Sequence, residues 1–196
     1  MKIGPQYKIA RRLGASVFEK TQSPKFARKE KAAPRRQSEY GAALIEKQRV
    51  RFSYRLSERQ FSRYVKEAVA QKGGNAAGFL YARLEKRLDN VLYRLGFAKT
   101  RGLARQMVSH GHVHVNGRKV SIPSYLLKAG DSVSIRPGSK GSVLFSNLSE
   151  KLKETPPPPW LSYDEVEGAA KVLGEPVSQA GALPFNLQSV VEFYSR

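Results

Sequence analysis

Between Leu84 and Val115 the apolar residues change their spacing, and that change dictates local structure. Leu84, Leu88, Val91, Leu92 and Leu95 recur at helical intervals and make one apolar face. Gly96 can end this helix in a left-handed cap. Thr100 is a good N-cap for a second helix, although Leu103 denies it a capping box. In that second helix Leu103, Ala104, Met107 and Val108 make the apolar stripe. Gly111 stops it. Val113 and Val115 then alternate with His112 and His114, which is strand spacing, and Asn116-Gly117 is the strongest short hairpin signal.

The two apolar stripes should bury against each other. Arg87 and Arg94, seven apart, lie together off the first stripe. Arg101, Arg105 and Ser109, at i, i+4 and i+8, make a cationic stripe on the second helix. Both arginine stripes should then face outward, side by side. Guanidinium groups on a rigid helix pair suit phosphate oxygens, because each presents a planar fork of donors. A solvated, salt-bridged face is the bland alternative, but only Asp89 falls between residues 86 and 130. The expected partner is a nucleic acid.

Charge along the chain agrees. Residues 1–84 carry twenty bases and six acids (+14), residues 85–140 eleven and three (+8), and residues 141–196 four and seven (−3), giving the net +19. A membrane surface could also attract such a chain, but there is no long apolar run and no amphipathic helix with a clean Lys/Arg rim. No membrane partner is expected. With no cysteine, disulfides and thiolate metal sites are excluded. Met-Lys-Ile-Gly-Pro has no apolar signal core, so a cytoplasmic location, or an organelle's equivalent, is expected.

Residues 1–37 are basic and broken by Gly4, Pro5, Gly14, Pro24 and Pro34. They hold too few apolar residues for a free-standing core and read as an arm that orders on a partner. Lys8, Arg11, Arg12, Lys25, Arg28, Lys29, Lys31, Arg35 and Arg36 could meet phosphates there. Ser38 should cap a helix running to about Leu56. Ser57-Glu58-Arg59-Gln60 fits a capping box, with Leu56 and Phe61 as its hydrophobic staple. Phe61, Tyr64, Val65, Ala68 and Val69 continue as an apolar face, and these aromatics sit at core spacing rather than as base-stacking platforms. Lys72-Gly73-Gly74-Asn75 breaks that helix, and Ala76 to Leu84 forms another.

After Gly117, Val120 with Ile122 and Val133 with Ile135 alternate as further strands, ending at Arg136-Pro137. Pro156 to Pro159 is a stiff spacer. Trp160-Leu161 should dock somewhere, and Val166 to Leu173 should supply strand pieces. Asn186 should cap a last helix whose stripe of Leu187, Val190, Val191 and Tyr194 needs cover. The Phe61 to Val69 face is the expected cover, closing the first domain across the inserted module.

The module's residues resemble a known family. Arg87-Leu88-Asp89, Arg94-Leu95-Gly96-Phe97, Thr100-Arg101, Ala104-Arg105-Gln106, Val108, His110-Gly111 and Val115-Asn116-Gly117-Arg118 are similar to the small RNA-binding module named after ribosomal protein S-four. Gly4-Pro5, Ser38-Glu39-Tyr40-Gly41, Glu46-Lys47-Gln48, Glu58-Arg59-Gln60-Phe61, Pro159-Trp160-Leu161 and Val191-Glu192-Phe193-Tyr194-Ser195-Arg196 extend the resemblance to the bacterial-type S-four family over nearly the whole chain. The chain departs from the family in the arm. Relatives often carry a Gly-Gln-His-Gly-type loop, and some carry zinc cysteines, where this chain has only Lys31 to Arg36.

The expected fold class is α+β: a basic helical domain with an inserted helix-helix-sheet RNA-binding module and an extended N-terminal arm. The expected boundaries are 1–37 for the arm, 38–84 for the helical domain, 85–140 for the module, and 141–196 for a linker and C-terminal segment packing back on the helical domain. The resemblance implies a structural protein of the small ribosomal subunit. Such a protein would bind small-subunit ribosomal RNA, nucleate assembly of the subunit body and support translational accuracy. It would lie beside S-five and S-three and near the path by which mRNA enters. The candidate RNA-binding residues are Arg87, Arg94, Lys99, Thr100, Arg101, Arg105, Gln106, His110, Asn116 and Arg118 in the module. To these are added Lys8, Arg11, Arg12, Arg35 and Arg36 in the arm, and Lys47 and Arg51 in the helical domain.

The alternative is a non-ribosomal RNA-binding or RNA-modifying protein, since pseudouridine synthases and tyrosyl-tRNA synthetases carry the same module. Such enzymes need a substantial catalytic domain, and residues 1–84 plus 141–196 offer no room for one and no nucleotide-binding signature. No catalytic residue and no cofactor is therefore expected. His110, His112 and His114 lack a nearby cysteine or carboxylate, so no metal site is expected either. His110, at the Gly111 turn beside the arginines, is the one expected to meet RNA.

Overall fold

The computed structural model describes residues 3–23, 38–71, 74–139, 141–142, 145, 156–177 and 183–195. They divide into two compact units, Met1–Tyr81 with Ser178–Arg196, and Ala82–Val177. Among the described residues there are seven α-helices and one five-stranded antiparallel sheet, the expected α+β class. No helix among them is long and apolar enough to cross a membrane.

The first unit begins with α1 (Gln6–Leu13). Its Ala10 and Leu13 are buried with Val17 and Phe18, and Ile9, Ile45 and Phe52 pack against them. Residues 3–23 are thus folded against α2 (Glu39–Ser53) rather than held out as an arm. A second apolar strip on α2, at Ile45 and Phe52, supplies the partner that their composition lacks. Residues 24–37, with Arg35 and Arg36, lie outside the described residues.

Ser38 caps α2, its Oγ accepting from the Gly41 N–H at 3.2 Å. The helix stops at Ser53, short of Leu56, and Arg55 turns to a φ of +53°. Ser57 caps α3 (Glu58–Val69) by accepting from the Gln60 N–H at 3.3 Å. The Gln60 side-chain Nε2 donates to the Tyr64 hydroxyl at 3.1 Å. Next comes α4 (Ala76–Glu85), within which the boundary between the units falls.

The last helix, α7 (Leu187–Ser195), returns to the first unit and buries Leu187, Val190 and Val191 against α2 and α3. Asn186 caps it, accepting from the Ser189 N–H at 3.1 Å. Phe61 meets Tyr194 edge to face at 6.2 Å, and Tyr54 meets Phe185 likewise. Each apolar ring removed from water there contributes up to about 3 kcal/mol.

The second unit is one continuous run. It holds α5 (Leu88–Arg94), α6 (Arg101–Ser109) and strands β1 (Val113–Val115), β2 (Arg118–Lys119), β3 (Ser132–Ile135), β4 (Leu161–Asp164) and β5 (Ala169–Val172). The sheet order is β2-β1-β3-β5-β4, antiparallel throughout. Thr100 caps α6, accepting from the Leu103 N–H at 3.1 Å, and Gly96 takes a φ of +79°. Asn116 and Gly117 both adopt positive φ, as a primed two-residue hairpin turn requires. Leu88, Val91, Leu92 and Leu95 pack with Ala104, Met107 and Val108 over Val113, Val115, Val133 and Ile135.

The unit runs past the expected module end near residue 140. β3 has a free edge of backbone donors and acceptors that needs a partner. β5 fills it, with Ser132 opposite Lys171 and Ser134 opposite Ala169. Trp160, Leu161, Ala170 and Val172 enter the same core. The segment after residue 140 therefore does not return whole to the helical domain: its hairpin joins the sheet, and α7 packs in the first unit.

Candidate nucleic-acid interface

The burial of α5 against α6 puts their polar sides together, and two carboxylates organise what lies there. Glu85, fully buried, takes Arg94 through both oxygens, at 2.7 and 2.9 Å. The same carboxylate accepts from the Asn90 amide at 3.0 Å. Asn90 passes the arrangement on, its Oδ1 accepting from Arg101 Nε at 2.8 Å. The Arg101 guanidinium lies 4.3 Å above the Tyr93 ring. Asp89 holds Arg87 through both oxygens, at 3.0 and 2.7 Å, and Arg105 reaches it at 3.6 Å. Four arginines are thus oriented by two acids and one amide.

Not all four face outward. Arg87 is fully buried, which corrects its place on an exposed stripe. It precedes α5 and points inward to Asp89, because an ion pair this deep needs both partners and good geometry to offset desolvation. Arg94, Arg101 and Arg105 are half-exposed. Arg94 and Arg101 are fixed on one side by hydrogen bonds and Arg105 by a looser ion pair to Asp89, and each keeps another side open to solvent, an arrangement suited to phosphate oxygens.

Lys99, Gln106, His110 and Arg118 are exposed. Thr100 uses its hydroxyl as the α6 cap. Asn116, also exposed, already spends its amide inside the fold: Nδ2 donates to Asp131 at 2.8 Å, and Oδ1 accepts from the Ser132 N–H at 2.8 Å. It is a tie between the hairpin turn and β3. His112 lies 3.0 Å from the Ser139 hydroxyl and 6.1 Å, ring to ring, from His110. Among the described residues no three metal-ligating side chains come together.

In the first unit Lys8, Arg11 and Arg12 are exposed along α1. Lys47 and Arg51 are turned inward. Lys47 is buried, donates to Glu58 at 2.6 Å and lies over the Phe193 and Tyr194 rings. Arg51 bridges to Glu58 at 3.2 Å. Burial alone would raise the Glu58 carboxyl. The hydrogen bonds from Lys47 and Tyr194, with the charges of Lys47 and Arg51, outweigh it and hold the carboxyl below its ordinary 4.5. The Tyr194 hydroxyl is pushed well up, first by burial and then by its hydrogen bond to Glu58.

Glu85, Asn90 and Tyr93 are the organising residues that spacing alone did not reveal. The available signal was a polar pair, Asp89-Asn90, set directly beside a buried stripe.

Residues 86–133 match the S4 domain, so the helix pair and its small sheet define an S4-domain protein. The similarity continues through the rest of the chain. The small ribosomal subunit protein uS4 of Roseiflexus castenholzii is 42% identical over 203 residues, covering 99% of this chain and 98% of the relative. Its counterpart from Thermus thermophilus is 44% identical over 207 residues at the same coverage, and that of Persephonella marina 43% over 201. The chain belongs to the small ribosomal subunit protein uS4 family.

Proposed function

We propose that this chain binds small-subunit ribosomal RNA directly, using the arginine face of the second unit and the exposed cations of the first. The observation that carries this is the fixed set of Arg94, Arg101 and Arg105, each tied on one side and open on the other, in a uS4-family chain. The role is structural rather than catalytic. By holding an RNA junction through two units, the chain nucleates assembly of the subunit body. Family kinship supports neighbours such as S-five and S-three, a position near the incoming mRNA, and a contribution to translational accuracy. Lys99, Gln106, His110 and Arg118 extend the module's footprint, and Lys8, Arg11 and Arg12 supply that of the first unit.

The test is filter binding of the full chain to a small-subunit junction RNA across a salt series. Replacing Arg101 and Arg105 together by Ala should weaken binding and flatten the salt dependence by about one slope unit per lost phosphate contact. The fold should persist, because Asp89 keeps Arg87. Unchanged affinity and slope would show that the RNA lies elsewhere.

A further inference from the structure

We propose that a cleft in the first unit, between α1 and α2, receives one unstacked nucleobase of the bound RNA. This rests on the RNA-binding function above. The cleft has a volume of about 580 Å³ and a floor that includes Ile9, Leu13, Leu44, Ile45 and Phe52. That is within the range of roughly 300–1,000 Å³ typical of small-ligand pockets.

Three features name the occupant. The cations Lys8, Arg12 and Arg51 line the cleft, and no carboxylate does. Arg51 lies 4.1 Å over the Phe52 ring, and its Nε is held by the Gln48 Oε1 at 2.8 Å and by the Glu58 carboxylate at 3.2 Å. The guanidinium is thus fixed against an aromatic ring, and the two side chains together line the cleft with a wall on which a base can stack. Lys8 and Arg12 are exposed, so their ammonium and guanidinium groups can take the flanking phosphates. An apolar floor, a stacking plane and basic margins together match a nucleotide. A purely apolar peptide would bring no anionic group to the exposed Lys8 and Arg12.

The experiment uses the full chain and a short single-stranded RNA carrying one central 4-thiouridine. After irradiation, crosslinks are mapped by mass spectrometry. Crosslinks on Leu44, Ile45 or Phe52 are expected, alongside any on the second unit. Leu44→Trp fills the cleft and removes no charge. It should abolish those crosslinks and weaken binding about tenfold, the size of one stacked base. Its salt slope should match that of the unaltered chain. A silent floor in the unaltered chain overturns the proposal, as does a folded Leu44→Trp chain with full affinity. If Leu44→Trp does not fold, the crosslink map of the unaltered chain decides alone. Should neither this RNA nor the junction RNA bind at all, the RNA-binding function itself fails.

Discussion

The two units use their few acids in opposite ways. In the second unit Glu85 is fully buried and Asp89 nearly so, and between them they orient Arg87, Arg94 and Arg105. In the first unit Glu58 is about half exposed and gathers Lys47, Arg51 and the Tyr194 hydroxyl. The first arrangement sets out cations that solvent still reaches. The second retires cations into a seam that holds the end of the chain. A net charge therefore says little about which cations are available: Lys47 and Arg87 count toward +19, yet both are consumed within the fold.

The sharpest way to separate the units is truncation. Ending the chain after Val177 removes α7 and leaves the first unit without Leu187, Val190 and Val191. The loss should be about 5 kcal/mol or more, at about 1.5–3 kcal/mol per buried apolar side chain. Amides of residues 39–69 should lose hydrogen-exchange protection, while those of 88–135 keep it. Ending the chain after Pro158 should instead unprotect both sets, because Trp160, Leu161 and β5 go as well. Equal behaviour of the two truncations would dissolve the distinction.

Next in size is Arg87→Ala. It leaves Asp89 buried with only the longer Arg105 contact and should destabilise the second unit by about 3–5 kcal/mol, the usual cost of orphaning a buried charge. Denaturant unfolding should register the loss, and removing Asp89 as well should recover part of it. A loss below about 1 kcal/mol would mean that the pair is not structural.

Glu85→Gln tests whether an acid can favour a polyanion. The change raises the net charge by one, so simple electrostatics demands tighter RNA binding. If Glu85 holds Arg94, and Arg101 through Asn90, affinity should instead fall roughly tenfold, equivalent to about 1.4 kcal/mol. A rise in affinity at fixed salt would sink the idea of pre-set arginines.

The smallest effect belongs to the first unit's seam. The Glu58 carboxyl is held below 4.5 in the folded state, so its stabilising contribution is complete above that value and is lost as pH falls through the lower folded one. Tyr194→Phe removes one of the hydrogen bonds holding it down. Because Glu58 is half exposed, the cost at neutral pH should stay under about 1 kcal/mol. The difference between Tyr194→Phe and the unaltered chain should shrink as pH drops below 4.5. A gap that persists under acid would show that the hydroxyl contributes independently of the Glu58 charge.

Much of this was legible beforehand, and the remainder failed for identifiable reasons. Helical spacing located α5 and α6, and Thr100, Ser38, Ser57 and Asn186 announced their caps, because these signals are local. Arg87 was misplaced because sequence spacing sets the direction from a helix axis, and Arg87 stands just before the helix. Lys47 and Arg51 were read as available because their partner, Glu58, sits in another helix. β5 went unassigned to the sheet because pairing with β3 spans residues that carry no local mark. Glu85 was overlooked because it lies at the end of α4, ahead of the helix pair whose spacing was read.

The closure of the first unit by α7 also has a consequence in time. Glu58 must wait for Tyr194, 136 residues later, before its seam can form. At synthesis rates of about 5–20 residues per second, that is a delay of roughly 7 to 27 s. The second unit has every strand and helix it needs as soon as Val177 is available, so it can fold while the first is still incomplete. Through that interval the Phe61 and Tyr64 face of α3 has no cover. The nascent chain therefore passes through a stage in which its later-made unit is finished and its earlier-made unit is open.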